Sequence, residues 1–104
     1  MSVCMVYITA ESMEDAEIIG RNLVSRRLAA CVNIISNMKS IYQWEGKIET
    51  GNEVIIIAKT KKVLVNELTE HVKNLHGYDN PCVVTLPIED GNSDFIQWIR
   101  DETK

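Results

Sequence analysis

The sequence predicts one α+β domain, residues 1–104, in which an antiparallel sheet carries two long helices on one face. Three observations predict it. Strand-like segments rich in β-branched and aromatic residues alternate with segments whose apolar residues recur every three or four positions. Two of the strand-like segments follow one another directly through Glu45-Gly46, the mark of a hairpin and therefore of antiparallel pairing. The chain has 104 residues, 45% of them apolar, which is enough for one core and too few for two.

Each element has its own local reason. Met5-Val6-Tyr7-Ile8-Thr9 is rich in β-formers and reads as the first strand. Ser12 with Asp15 three residues on resembles a capping box, with Asp in place of the commoner Glu, and opens a helix. Behind it Ala16, Ile19, Leu23, Val24 and Leu28 form one apolar stripe. Leu28 to Ile35 is almost continuously apolar, as a strand covered on both faces would be. Ser36-Asn37 predicts a bend or bulge, after which Ile41-Tyr42-Gln43-Trp44 resumes the strand. Gly46 supplies a positive φ at the turn, and Lys47 to Lys59 returns.

From Thr60 the period is helical again, with Leu64, Leu68, Val72 and Leu75 on one stripe and His76-Gly77 as its stop. Cys82 to Leu86 is a fourth strand, ended or placed at an edge by Pro87. Glu89-Asp90-Gly91-Asn92 then turns the chain into a short C-terminal helix carrying Phe95, Trp98 and Ile99. The order βαββαβ plus a terminal helix is that of a ferredoxin-like antiparallel sheet with a long central hairpin.

That hairpin is too long for its domain. Each arm runs about 14 residues, on the order of 45 Å if straight. A first helix of about 16 residues reaches only about 24 Å. The overhanging half nevertheless carries Ile41, Tyr42, Trp44 and Ile48, and a strand pair with exposed aromatics and free edges aggregates unless something covers it. Another copy of the chain is the simplest cover. Folding the last helix, with Phe95 and Trp98, back over the hairpin is the alternative within one chain. Tyr42, Trp44 and Trp98 are accordingly the candidate subunit-contact residues.

Composition removes several function classes. No apolar run approaches the roughly 18 to 20 residues that span a bilayer. Met1-Ser2-Val3-Cys4 carries no basic segment or small-residue cleavage site, which predicts a cytosolic, cytoplasmic protein. Cys4, Cys31 and Cys82 are odd in number and far apart, so they form neither a disulfide framework nor a zinc spacing. A net charge of −4 argues against nucleic acid as a partner, because phosphate backbones call for a basic face.

Several segments taken together resemble the CutA divalent-cation tolerance family. They include Leu28-Ala29-Ala30-Cys31-Val32-Asn33, Tyr42-Gln43-Trp44-Glu45-Gly46-Lys47, Glu53-Val54, Lys59-Thr60, His76-Gly77-Tyr78 with Pro81, Leu86-Pro87-Ile88, and Gly91-Asn92 through Trp98. The match runs in order along essentially the whole chain. The resemblance implies a homotrimer with interlocking hairpins, a role in divalent-metal tolerance with copper binding in some members, and an architecture like that of PII-type signalling proteins. Two positions depart from the family pattern. The family's described copper ligands are a Cys at the end of the first strand and two adjacent His before the turn tyrosine. Here those positions are Ile8, Leu75 and His76. Where many members have Glu after the turn proline, this chain has Cys82.

His76 reads first as a helix C-terminal residue favoured by the macrodipole, and second as a metal ligand short of partners. His71 does not complete the set, since five residues along a helix rotate the two rings apart by about 140°. Cys31 lies within an apolar run and reads as a core residue. Cys82 is the one further soft-metal donor near His76 in sequence. Lys59, Lys61 and Lys62 surround the expected start of the second helix, where cations oppose the dipole. They are ordinary solvated lysines or an anion site shared with the helix amides. No Met-x-Cys-x-x-Cys metallochaperone motif, RNA-binding aromatic motif or nucleophile–base set is present, so the chain does not read as an enzyme. Two functions remain. One is a trimeric metal-tolerance protein that needs no cofactor and binds copper or another divalent ion weakly between subunits. The other is a PII-like sensor of a small anion, or a scaffold for a protein partner.

Overall fold

A computed structural model describes residues 1–104 and has the element order β1 (Val3–Ala10), α1 (Met13–Ser25), β2 (Cys31–Trp44), β3 (Lys47–Lys61), α2 (Val65–Leu75), β4 (Val83–Pro87) and α3 (Ser93–Glu102). The sheet order is β2-β3-β1-β4 with every neighbour antiparallel, the ferredoxin-like arrangement. Alternation along the strands sorts side chains onto two faces. Val6, Ile8 and Ala10 of β1 join Val54, Ile56 and Ala58 of β3 beneath Ala16, Ile19 and Leu23 of α1 and Leu68 and Val72 of α2. Gly20 lets α1 approach closely, because a Cβ there would stand 2.8 Å from Val32 Cγ2 on β2.

The opposite face is largely open. The registers place Met5, Tyr7, Ile55, Ile57, Val84 and Leu86 there, and the last two are about half exposed. α3 covers only one end of this face, where Ile99 and Ile96 pack on Val3, Ala30 and Ile88. It meets the base of the hairpin near Lys59 and leaves the outer half uncovered.

β1 leaves β3 at the Ala10–Val54 pair, and beyond it β2 and β3 continue alone to the Trp44–Lys47 pair. No residue from Ile35 to Glu53 is buried. Ile41 and Ile48 at the far end are 69% and 70% exposed. The Ser36-Asn37 irregularity is a bulge: the register slips between Ile35 and Met38, and Asn37 takes φ 63°. Glu45 and Gly46, at φ 51° and 79°, make the two-residue turn whose twist matches the strands it joins.

Three expectations are corrected. α1 stops at Ser25 and not at Leu28, because Arg27 adopts φ 58°. The Leu28 amide then donates to the Leu23 carbonyl and the Arg27 amide to Val24, a complete Schellman turn with Arg27 where glycine is usual. Leu28 remains buried against the core, whereas Val24 is left exposed. β2 is an edge strand covered on one face only, so its continuous apolar run leaves Ile35 about half exposed. Finally, Thr60 and Lys61 still pair with Cys4 and Val3, so β3 runs through them. A short 3-10 turn, Lys62–Leu64, then delays α2 to Val65.

Candidate functional site

Two candidate donors, His76 and Cys82, lie where β1 ends, beside the loop between α2 and β4. His76 caps α2, its amide bonding to the Val72 carbonyl at 2.8 Å. Its ring then turns onto the strand end. Nε2 donates to the Thr9 carbonyl at 2.6 Å, and Nδ1 accepts the Tyr78 amide at 3.1 Å. The carbonyl can only accept and the amide can only donate, which fixes the neutral tautomer with its proton on Nε2. Both ring nitrogens are therefore in use, and neither offers a free lone pair to a metal.

The Tyr78 ring lies against His76, centroids 4.4 Å apart, and its hydroxyl donates to Glu53 at 2.9 Å. Burial first, then that bond and the Glu53 charge, hold the phenol well above its usual range. Cys82, expected to open the fourth strand, lies one residue before β4, whose first residue Val83 pairs with Ile8. Burial and then the Glu53 carboxylate push its thiol up, while a bond with the Thr9 side chain acts the other way. At neutral pH it is a thiol, and metal binding would first have to displace its proton.

Thr9, Glu53 and Tyr78 were not singled out as site residues from the sequence. Tyr78 and Glu53 were visible only within a turn and a strand segment that resemble the family, and nothing local says that residues 25 positions apart come together. Of the three metal-ligand positions that the resemblance points to, only His76 carries a donor. Ile8 is fully buried in the core beneath the helices, and Leu75 is a partly exposed α2 residue. No group of three or more His, Cys, Asp or Glu side chains comes together to hold an ion. One chain's donor set does not fit a copper centre.

The lysines are placed apart from the first turn of α2. Lys59 and Lys61 point to the face opposite α1 and α2, and Lys62 lies in the 3-10 turn. Lys59 Nζ donates to Asn33 Oδ1, sits 3.8 Å from Cys31 Sγ, and lies 6.0 Å from the centre of the Phe95 ring. Tyr42 and Trp44 stand on the uncovered hairpin, with Trp44 43% exposed. Trp98 is 39% exposed on α3, stacked at 5.4 Å with Phe95.

Comparison with known proteins matches this geometry to a family. The model of the CutA1 divalent ion tolerance protein family matches residues 4–102. The chain belongs to that family. A CutA protein of Archaeoglobus fulgidus named for divalent-cation tolerance is 47% identical over 98 residues, covering 94% of each chain. A chloroplastic CutA 1 protein of rice is 42% identical over 96% of this chain, which spans only 56% of the rice protein. The chain likewise spans little more than half of the Arabidopsis and human CutA proteins it matches. The crystal structure of rice CutA1 superposes with a TM-score of 0.97 at 40% identity, covering all of this chain and 95% of the rice one. The Archaeoglobus relative is named as a divalent-cation tolerance protein, and none of these names denotes an enzyme. No helix in this chain is long and apolar enough to cross a membrane.

Proposed function

We propose that the chain is one subunit of a non-catalytic homotrimer acting in divalent-metal tolerance, with copper or a similar ion bound weakly between subunits. The observation that carries this reading is the uncovered hairpin, whose apolar side chains have no partner in their own chain. The strand order adds to it. β2 and β4 are the two open edges and lie on opposite sides of the sheet. One chain's β2 edge meeting the next chain's β4 edge is a head-to-tail contact, the kind that closes into rings. Family membership supplies the metal role, and the occupied His76 ring and protonated Cys82 supply the weakness. The three free cysteines are consistent with a reducing, cytosolic setting.

Light scattering coupled to size exclusion tests the assembly. Three copies of the 11.8 kDa chain, about 35 kDa, are expected at micromolar concentration. A stable, folded monomer would overturn the reading. Copper titration tests the site: nanomolar affinity that disappears with His76→Ala or Cys82→Ser would contradict weak binding.

A second reading, a PII-like sensor or scaffold using the same clefts, draws on Lys59 and Lys61 sharing the open face with Lys62 beside them. It predicts saturable amide shifts over residues 60–63 on adding phosphate or a nucleotide, abolished by Lys61→Glu.

A further inference from the structure

A different cluster lies on the helix layer. The end of α1, one side of α2 and the C-terminal residue enclose a hollow of about 380 Å3, lined chiefly by Arg26, Glu67, Glu70, His71, Asn74 and Lys104. The Schellman turn shapes it. The Arg27 carbonyl accepts the Lys104 amide at 3.0 Å, and the Arg27 guanidinium donates to the Asp101 carbonyl at 2.8 Å. These bonds hold the chain end against the two helices.

Two cations, Arg26 and Lys104, and two carboxylates, Glu67 and Glu70, line the hollow, and they are unevenly paired. Glu67 is bonded by Lys104 at 2.6 Å and Glu70 by Lys73 at 3.5 Å, so each carboxylate already has its cation. Arg26 has no ion pair, and the Asn74 side chain makes no hydrogen bond within the chain. Nε2 of His71 is buried and has no hydrogen-bond partner at all. Buried polar atoms are rarely left so, and His71 also lines a polar hollow roomy enough for a partner from outside the chain.

We propose that this hollow binds a small oxyanion, a phosphate or carboxylate group, through the Arg26 guanidinium, the His71 imidazole and the Asn74 amide. A planar guanidinium fork matches two oxyanion oxygens, and the other two groups add neutral N–H donors. Burial, then the nearby Arg26 charge, hold His71 below the usual imidazole range, with Glu67 pulling the other way. An arriving anion offsets the Arg26 field and favours the protonated ring, so binding and protonation of His71 reinforce one another. The hollow sits on the α1–α2 layer, on the other side of the sheet from its open face.

The test is NMR titration of the assembled protein with inorganic phosphate and with succinate, against chloride at equal ionic strength. Saturable shifts are expected at the His71 ring and at amides of residues 26–28 and 71–74, well separated from residues 60–63. The His71 titration midpoint should rise in the presence of the anion. Arg26→Gln, a change at an exposed position, should weaken binding roughly tenfold or more, as loss of a charge-assisted bond does. Asn74→Asp, which adds a third carboxylate to the hollow and one without a cation of its own, should abolish it. Saturation by phosphate alone or succinate alone supports the site and names its preferred group. Shifts that chloride reproduces, or that survive Arg26→Gln, would overturn the proposal.

Discussion

Two protons in the strand-end cluster are held chiefly by burial, those of Tyr78 and Cys82. Both groups titrate above their ordinary values, so the fold favours their neutral forms. Such a contribution to stability is complete below the unfolded-state values, about 8.5 for a thiol and 10 for a phenol, and is lost as pH rises through the higher folded ones. The melting temperature is therefore expected to be level near neutrality and to fall from about pH 9 upward. Cys82→Ser should reduce the earlier part of that fall, the buried Cys4 thiol, also pushed up by burial, supplying the rest. A Tyr78 phenolate absorbance appearing in the native protein at the pH of free tyrosine would contradict this account. Gly20 carries a second prediction at this scale. Gly20→Ala gains up to about 1 kcal/mol of helix propensity. The new Cβ also meets Val32 at 2.8 Å, an overpacking cost of about 1–3 kcal/mol. The net expectation is a loss of about 1 kcal/mol in denaturant titration, and a stabilised variant would show that α1 can slide off β2 at no cost.

At the scale of elements, the hairpin was legible because its signals are local. The β-rich arms, the break at Ser36-Asn37 and the Glu45-Gly46 turn each announce themselves within a few residues, and all three are present. The ends of the helices were less legible. Arg27 stops α1 in a conformation that its side chain does not advertise, and β1 pairs with Thr60 and Lys61 from far off in sequence and keeps them in the strand. The lysine reading suffered for the same reason, since it assumed the helix began there. Trp44→Ala tests the hairpin as a subunit contact. Truncating an interface tryptophan costs about 2 kcal/mol or more at a hot spot. Assembly should weaken while the helix signal stays, and melting should become more dependent on concentration. Trp98→Ala, at α3 beside Phe95, should lower stability without that dependence. A Trp44→Ala protein that melts like the parent and keeps its mass would place the hairpin tip in solvent.

For the molecule as a whole, the fold was readable and the site only partly so, and the reason is range. Alternation and helical spacing are written in neighbouring residues, whereas the site joins Thr9 to His76 and Glu53 to Tyr78 across the sheet. Cys82 and His76 were singled out as donors, yet only coordinates reveal that the imidazole is already committed to the backbone. The molecule is also elongated, 44 Å by 25 Å by 23 Å, because the bare hairpin extends one axis. That asymmetry divides folding in time. The half under α1 and α2 has its own core and condenses within a single chain, at a rate independent of concentration. In the proposed assembly, the outer half of β2 and β3, unburied within its own chain, settles only when chains meet. Refolding followed by Trp44 fluorescence should therefore show a late phase that quickens as the protein is concentrated, after a helix signal that does not. If both phases ignored concentration, the outer arms would be forming without a partner.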